Sequence, residues 1–135
     1  MRFLKKILLG SALFAITNCV FAAPANLTTT NNSNHGKVYA KIGAYKSPEP
    51  VSAHQERNRE WNSVKFLCTI QRMPEQCTAE ILVEHDITGQ LESLGNMTID
   101  LNTGELTPGS LSSAHYIMNV VGNAHVEVNS INEDY

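Results

Sequence analysis

The segment SVKFLCTIQRMPEQCTAEILVEH, residues Ser63–His85, sets our expectations for the rest of the chain, because it carries two cysteines within alternating apolar residues. Side chains of an extended chain point alternately to two faces, so each half of the segment places its cysteine on an apolar face. That face holds Val64, Phe66, Cys68 and Ile70 in the first half, and Cys77, Ala79, Ile81 and Val83 in the second. The pattern predicts two antiparallel strands, with Cys68 opposite Cys77 and Pro74 in the connection.

The N-terminus predicts the compartment in which these cysteines reside. Residues 1–22 resemble a secretory signal peptide, with a basic start, an apolar run over 7–21 and a cleavage site after Ala22. Cleavage would remove Cys19 and leave two cysteines in an oxidising environment, where a Cys68–Cys77 disulfide is favoured over two reduced core thiols. The apolar run is shorter than the roughly 20 residues that span a bilayer, so we expect no transmembrane anchor.

The remaining chain divides into an arm and a domain. Ala23–Gly36 is rich in Asn and Thr and poor in apolar residues, which predicts a flexible N-terminal arm. Residues 37–135 then form a single β-rich domain with a modest core. Ser52 and Gln55 have capping-box spacing, so Ala53–Trp61 could form a short helix, with a loop as the alternative.

Alternation and closely spaced turns recur through the domain. Lys37–Tyr45 alternates, and Ala114–Val121 and Ala124–Ile131 flank Gly122-Asn123, a two-residue hairpin loop that would place Val121 opposite Ala124. The expected fold is all-β, a small antiparallel sandwich or open barrel of six or seven short strands with one disulfide and at most one short helix.

Charge is divided unevenly along the chain. Residues 23–72 contain seven Lys and Arg against three acids, whereas residues 73–135 contain ten acids and no Lys or Arg. The acidic C-terminal half argues against nucleic acid as a partner. The two halves could neutralise each other across a sheet, or the acidic half could bind a cationic partner or a divalent cation.

Several side chains are candidates for a binding surface. The outer face of the Lys37–Tyr45 strand interleaves lysines with tyrosines, a composition that binds anions or stacks on rings, although lysines also protect edge strands from aggregation. Trp61 is either a core anchor or a ligand platform, and the C-terminal hairpin offers a second apolar face. The candidate surface comprises Lys37, Tyr39, Lys41, Tyr45, Trp61, Tyr116 and Met118.

Recognisable catalytic motifs are lacking. Gly109–Ser113 is not a nucleophile elbow, and Cys68 and Cys77 are too far apart for a C-x-x-C redox pair. The weak metal candidates are His125 and Glu127, with His85 or Asp86 as a third ligand, and a solvated polar stripe explains them equally well. We therefore expect a protein that is not an enzyme and needs no cofactor.

The expected function is binding by an exported bacterial protein, periplasmic or extracellular, whose partner is a protein or a component of the envelope or host surface. A host-interaction or virulence-associated factor and an inhibitor of an envelope enzyme both fit. Gly122, followed by Val126, Val128 and a terminal Tyr135, resembles the C-terminal pairing strand of chaperone-assembled pilins. This resemblance implies a surface-fibre subunit as one alternative, and a small metal-dependent hydrolase is another.

Overall fold

The computed structural model describes residues 22–135 as two five-stranded β-sheets that pack face to face. Sheet A contains, in spatial order, β4 (Gln55–Glu60), β1 (Asn26–Asn31), β10 (His125–Ser130), β9 (Tyr116–Gly122) and β8 (Ser110–Ser112). Sheet B contains β3 (Tyr45–Lys46), β2 (Gly36–Ile42), β5 (Gln76–His85), β6 (Leu91–Asp100) and β7 (Leu106–Thr107). Neighbouring strands are antiparallel except β1 and β10, which are parallel. The predicted all-β sandwich is confirmed, with more and shorter strands than expected.

The core lies between the sheets and is built from alternating strand residues. On β5, Cys77, Ala79, Ile81 and Val83 are all buried, as the alternation predicted. On β2, Val38 and Ile42 point inward in the same way. The inner faces of both sheets thus form one apolar cluster, and sequence alternation correctly identified half of it.

The prediction of a strand over 63–71 is wrong, because Trp61–Ile70 forms the helix α1. Its buried residues are Trp61, Val64 and Cys68, which lie on one face at helical spacing. A strand would also bury Phe66 and Ile70, but these are 65% and 53% exposed. Val64 and Cys68 are four residues apart and fit either period, so the segment was ambiguous and the helical pattern prevailed.

The Cys68–Cys77 disulfide is confirmed, although it joins a helix to a strand. The two Cα atoms lie 5.7 Å apart, and both side chains are fully buried. The helix ends at Ile70, and Arg72 then takes a left-handed conformation with φ of 64°, which turns the chain back towards β5. Strand β5 pairs instead with β2 and β6. The disulfide therefore fastens α1 across the end of the sandwich.

The flexible N-terminal arm predicted for Ala23–Gly36 is also wrong. Residues Asn26–Asn31 form β1, which pairs with β4 on one side and β10 on the other. At the end of this strand the Asn31 side chain is fully buried, and its Nδ2 donates hydrogen bonds of 2.8 Å to the carbonyls of Gly36 and Val51. Backbone pairing on both edges orders this polar segment, so the domain begins before residue 37. Residues 1–21, which hold nearly all of the predicted signal peptide, lie outside the described residues.

Two further local predictions need correction. The helix or loop expected over Ala53–Trp61 is mostly the strand β4, which forms the edge of sheet A. The C-terminal hairpin exists, but a register shift at His125 places Val128 opposite Met118 and Val126 opposite Val120. Because one residue of slip exchanges the two faces of a strand, the inner face of β9 is the one predicted to lie outside.

Candidate binding cavity between the sheets

The structure places part of the predicted surface on the outer face of sheet B. Tyr39 donates a hydrogen bond of 3.0 Å from its hydroxyl to Glu84 Oε1, and Lys46 Nζ lies 4.2 Å from the centre of its ring. Partial burial raises the pKa of Tyr39, and the hydrogen bond and charge of Glu84 raise it further. Lys37 pairs across the sheet with Glu84, and Lys41 with Glu80. Basic β2 thus meets acidic β5, and opposite charges face each other here.

Three residues of the predicted surface lie in the core instead. Tyr116 and Met118 are fully buried because of the hairpin register, and Trp61 is 3% exposed. The indole Nε1 of Trp61 donates to the Leu101 carbonyl at 3.1 Å, so this residue is the core anchor of the two alternatives. The Tyr116 hydroxyl has no hydrogen-bond partner among residues 22–135, and burial, followed by the charges of Glu92, Tyr135 and Asp86, raises the pKa of Tyr116 to about 12.

The weak metal candidates are not brought together. His125 and Glu127 alternate with the buried Val126 and Val128, which places them on the outer face of sheet A. His125 Nε2 lies 3.0 Å from Thr30 Oγ1 of the neighbouring strand. Within the described part of the chain, no three His, Cys, Asp or Glu side chains form a cluster that could hold a metal ion. The predicted third ligands, His85 and Asp86, therefore do not complete a site with this pair.

Tyr135 and strand β10 pack within the domain. The Tyr135 ring stacks on His115 at 3.7 Å between ring centres and meets the edge of His85 at 5.2 Å. Strand β10 is paired with β1 on one side and β9 on the other. Both edges of the strand that resembles a pilin pairing strand are thus occupied within this chain.

A cavity of about 90 Å³ opens between the sheets where the edge strands β4 and β3 lie. Val38 and Ile42 line it from β2, and Val64 and Leu67 of α1 line it from one end. Its deeper wall is apolar and is contributed by both sheets: Ala79, Ile81, Met97, Leu106, Met118 and Val126. Empty apolar space inside a closely packed core is costly, so this cavity is the strongest candidate for a ligand seat.

Arginine side chains of β4 line the opening of the cavity. Arg57 and Arg59 alternate with exposed residues and face inward beside Thr29 and Leu27 of β1. Arg57 Nη1 donates a 3.1 Å hydrogen bond to Glu49, which lines the same opening. Tyr45 and Ser47 complete the polar rim. The cavity therefore combines an apolar interior with a cationic mouth.

Sequence reasoning missed both arginines. The run Gln55–Glu60 is polar on both faces, so it carries no apolar period that would mark a strand or its inner side. The two-residue spacing of Arg57 and Arg59 was the available signal, since it places both on one face of a strand. Of the predicted surface residues, Tyr39, Tyr45 and Met118 also contribute to the cavity lining.

Comparison with known proteins agrees with this fold and extends it to a family. The family described as T2SS substrate NttC matches residues 1–131. The crystal structure of the Legionella pneumophila type II secretion system substrate NttC is similar, with a TM-score of 0.70 and 34% sequence identity over 80% of this chain and 99% of that chain. A search of curated proteins found no match. Within residues 22–135, no helix has the length and apolar character to cross a membrane. The chain belongs to the NttC family of type II secretion substrates and is an exported bacterial protein.

Proposed function

We propose that this protein is a secreted binding protein that acts outside the bacterium, as a host-interaction factor, by holding an apolar ligand in the cavity between its sheets. The cavity itself carries the proposal, because it joins an apolar interior to a polar opening. Export through a type II secretion system follows from the family, whose description and L. pneumophila relative both name that route. The ligand would come from a host surface or from the envelope.

The lining supports binding in preference to chemistry. Ligand sites typically have mostly apolar walls with a few polar groups that set the orientation of the ligand. The carboxylate at the mouth, Glu49, is engaged with Arg57, so its oxygens are partly committed to that ion pair. Arginine remains protonated and does not act as a general base. We therefore include in the proposal that the protein is not an enzyme.

A neutral apolar probe tests whether the cavity is a ligand seat. We expect 1-octanol to perturb the amide signals of Ala79, Met118 and Val126 in two-dimensional NMR spectra, because their side chains line the cavity. Ala79→Leu, at a position that is 2% exposed, should fill the space and abolish these shifts.

Ala114→Leu is the matched control, because Ala114 is exposed and does not line the cavity. It should bind octanol as the unmodified chain does. A folded Ala79→Leu variant that still binds octanol, or an unmodified chain that does not respond to octanol, would contradict the proposal. Thermal melts of both variants distinguish loss of the seat from loss of the fold.

A further inference from the structure

The shape of the cavity selects among apolar ligands. Its lining extends across four adjacent strands of sheet B, from Val38 on β2 through Ala79 and Met97 to Leu106 on β7. Strands lie about 4.8 Å apart, so this path is about 14 Å long. A cavity of about 90 Å³ that extends over such a path is narrow for its length. It fits a single unbranched aliphatic chain better than a ring system.

The charge at the mouth selects the other end of the ligand. The charged side chains that line the cavity are Arg57, Arg59 and Glu49. Glu49 pairs with Arg57, whereas Arg59 forms no ion pair with any residue in 22–135. The mouth therefore carries one uncompensated positive charge. Such a site complements a monoanion better than a dianion or a cation.

Unused donors lie beside that charge. The Nε of Arg57 is buried and has no hydrogen-bond partner in the described chain. A buried donor without an acceptor destabilises the fold, and a guanidinium can bind a planar carboxylate through two parallel hydrogen bonds. An anionic group at the mouth would therefore meet donors that the protein leaves unsatisfied.

We infer that the cavity binds a medium-chain carboxylic acid, with its aliphatic chain between the sheets and its carboxylate at Arg59 and Arg57. This inference rests on the proposed function, since it names the ligand class of the same cavity. The competing explanation is that inward-facing arginines on the edge strand β4 only discourage aggregation. That role requires no carboxylate preference, so ligand binding separates the two.

The test compares ligands that share a ten-carbon chain and differ in the head group. By calorimetry at pH 7, decanoate should bind with one-to-one stoichiometry, and 1-decanol about tenfold more weakly. Decyl phosphate, which is largely dianionic, should also bind more weakly than decanoate, and decyltrimethylammonium should not bind. Shortening decanoate should weaken binding about fourfold for each CH₂ removed, because each buried CH₂ contributes about 0.8 kcal/mol.

The matched variants remove one positive charge each. Arg59→Gln should weaken decanoate binding about tenfold or more and leave decanol binding unchanged, because a charged hydrogen bond is lost. Lys65→Gln is the control, since Lys65 is exposed on α1 and does not line the cavity. It should bind both ligands as the unmodified chain does.

The outcomes separate this inference from the function on which it rests. If decanol binds but decanoate is not preferred, or if Arg59→Gln leaves decanoate affinity unchanged, the carboxylate inference is overturned and the apolar seat stands. If Arg59→Gln increases aggregation without changing affinity, the arginine only protects the edge strand. If none of the ten-carbon ligands binds, both the inference and the proposed function fail.

Discussion

At the residue scale, Glu92 is a carboxylate whose surroundings are built for its ionised form. Its side chain is 11% exposed and accepts hydrogen bonds from the Ser113 hydroxyl, the His115 backbone N–H and His115 Nδ1. Burial alone would raise the pKa of Glu92, but the hydrogen bonds from Ser113 and His115 and the charge of His115 lower it below its ordinary value of 4.5. His115 in turn stacks on Tyr135, so the carboxylate helps to hold the C-terminal segment against the sandwich.

Replacing this carboxylate should change how stability depends on pH. A lowered folded-state pKa means that Glu92 stabilises the fold above its ordinary value of 4.5, and that this contribution is lost as the pH falls through the folded-state pKa. Glu92→Gln should therefore lower the free energy of unfolding at pH 7 by about 1.5–3 kcal/mol and should flatten the decline below pH 4.5. Urea denaturation at pH 7 and pH 3 measures both effects.

Glu105→Gln provides the control, because Glu105 is exposed and the structure gives its carboxylate no hydrogen bond within the described residues. It should behave as the unmodified chain at both pH values. Equal acid sensitivity of Glu92→Gln and the unmodified chain would refute the role assigned to Glu92.

At the scale of one element, helix α1 depends on tertiary contacts. It is ten residues long, has no side-chain N-cap hydrogen bond, and lacks acidic residues in its first turn and basic residues in its last. An isolated helix of this length is marginal in water. The burial of Trp61, Val64 and Cys68 and the disulfide to β5 therefore hold it in place. Its sequence alternates as well as a strand would, and only the exposure of Phe66 and Ile70 distinguishes the two structures.

Removing the disulfide should destabilise the fold measurably. Cys68→Ala with Cys77→Ala opens a loop of nine-residue separation, and chain entropy gives a loss of about 2–3 kcal/mol. Urea denaturation should show this loss, and the helical signal in circular dichroism should weaken. A reductant should destabilise the unmodified chain by a similar amount and leave the double variant unchanged. A loss below about 0.5 kcal/mol would mean that packing alone holds α1.

At the scale of the whole molecule, the parallel pairing of β1 with β10 closes the sandwich. This pairing joins residues about 95 positions apart, such as Thr30 and His125, and places β1 inside sheet A. With β4 on its other side, β1 also carries the arginines to the rim of the cavity. The ligand seat thus depends on the N-terminal segment and on strands of both sheets.

The secretion route is also a property of the whole protein. Because the chain belongs to a family of type II secretion substrates, we expect it in the culture medium of its producer and not on the cell surface or in the periplasm. Fractionation of cells with and without a functional type II system, followed by immunoblotting, measures its distribution. Loss of the system should shift the protein into the cell fraction. Equal amounts in both media would contradict this route.

The sequence by itself determined the sandwich class, the disulfide and the inner faces of β2 and β5, because apolar alternation and cysteine pairing are written locally in the chain. Only the tertiary structure decided that α1 is a helix, that β1 is an interior strand and that Arg57 and Arg59 face a cavity. Strands β1 and β4 are polar and gain their order from hydrogen bonds to each other and to β10. No local periodicity records a partner that lies far away in the chain.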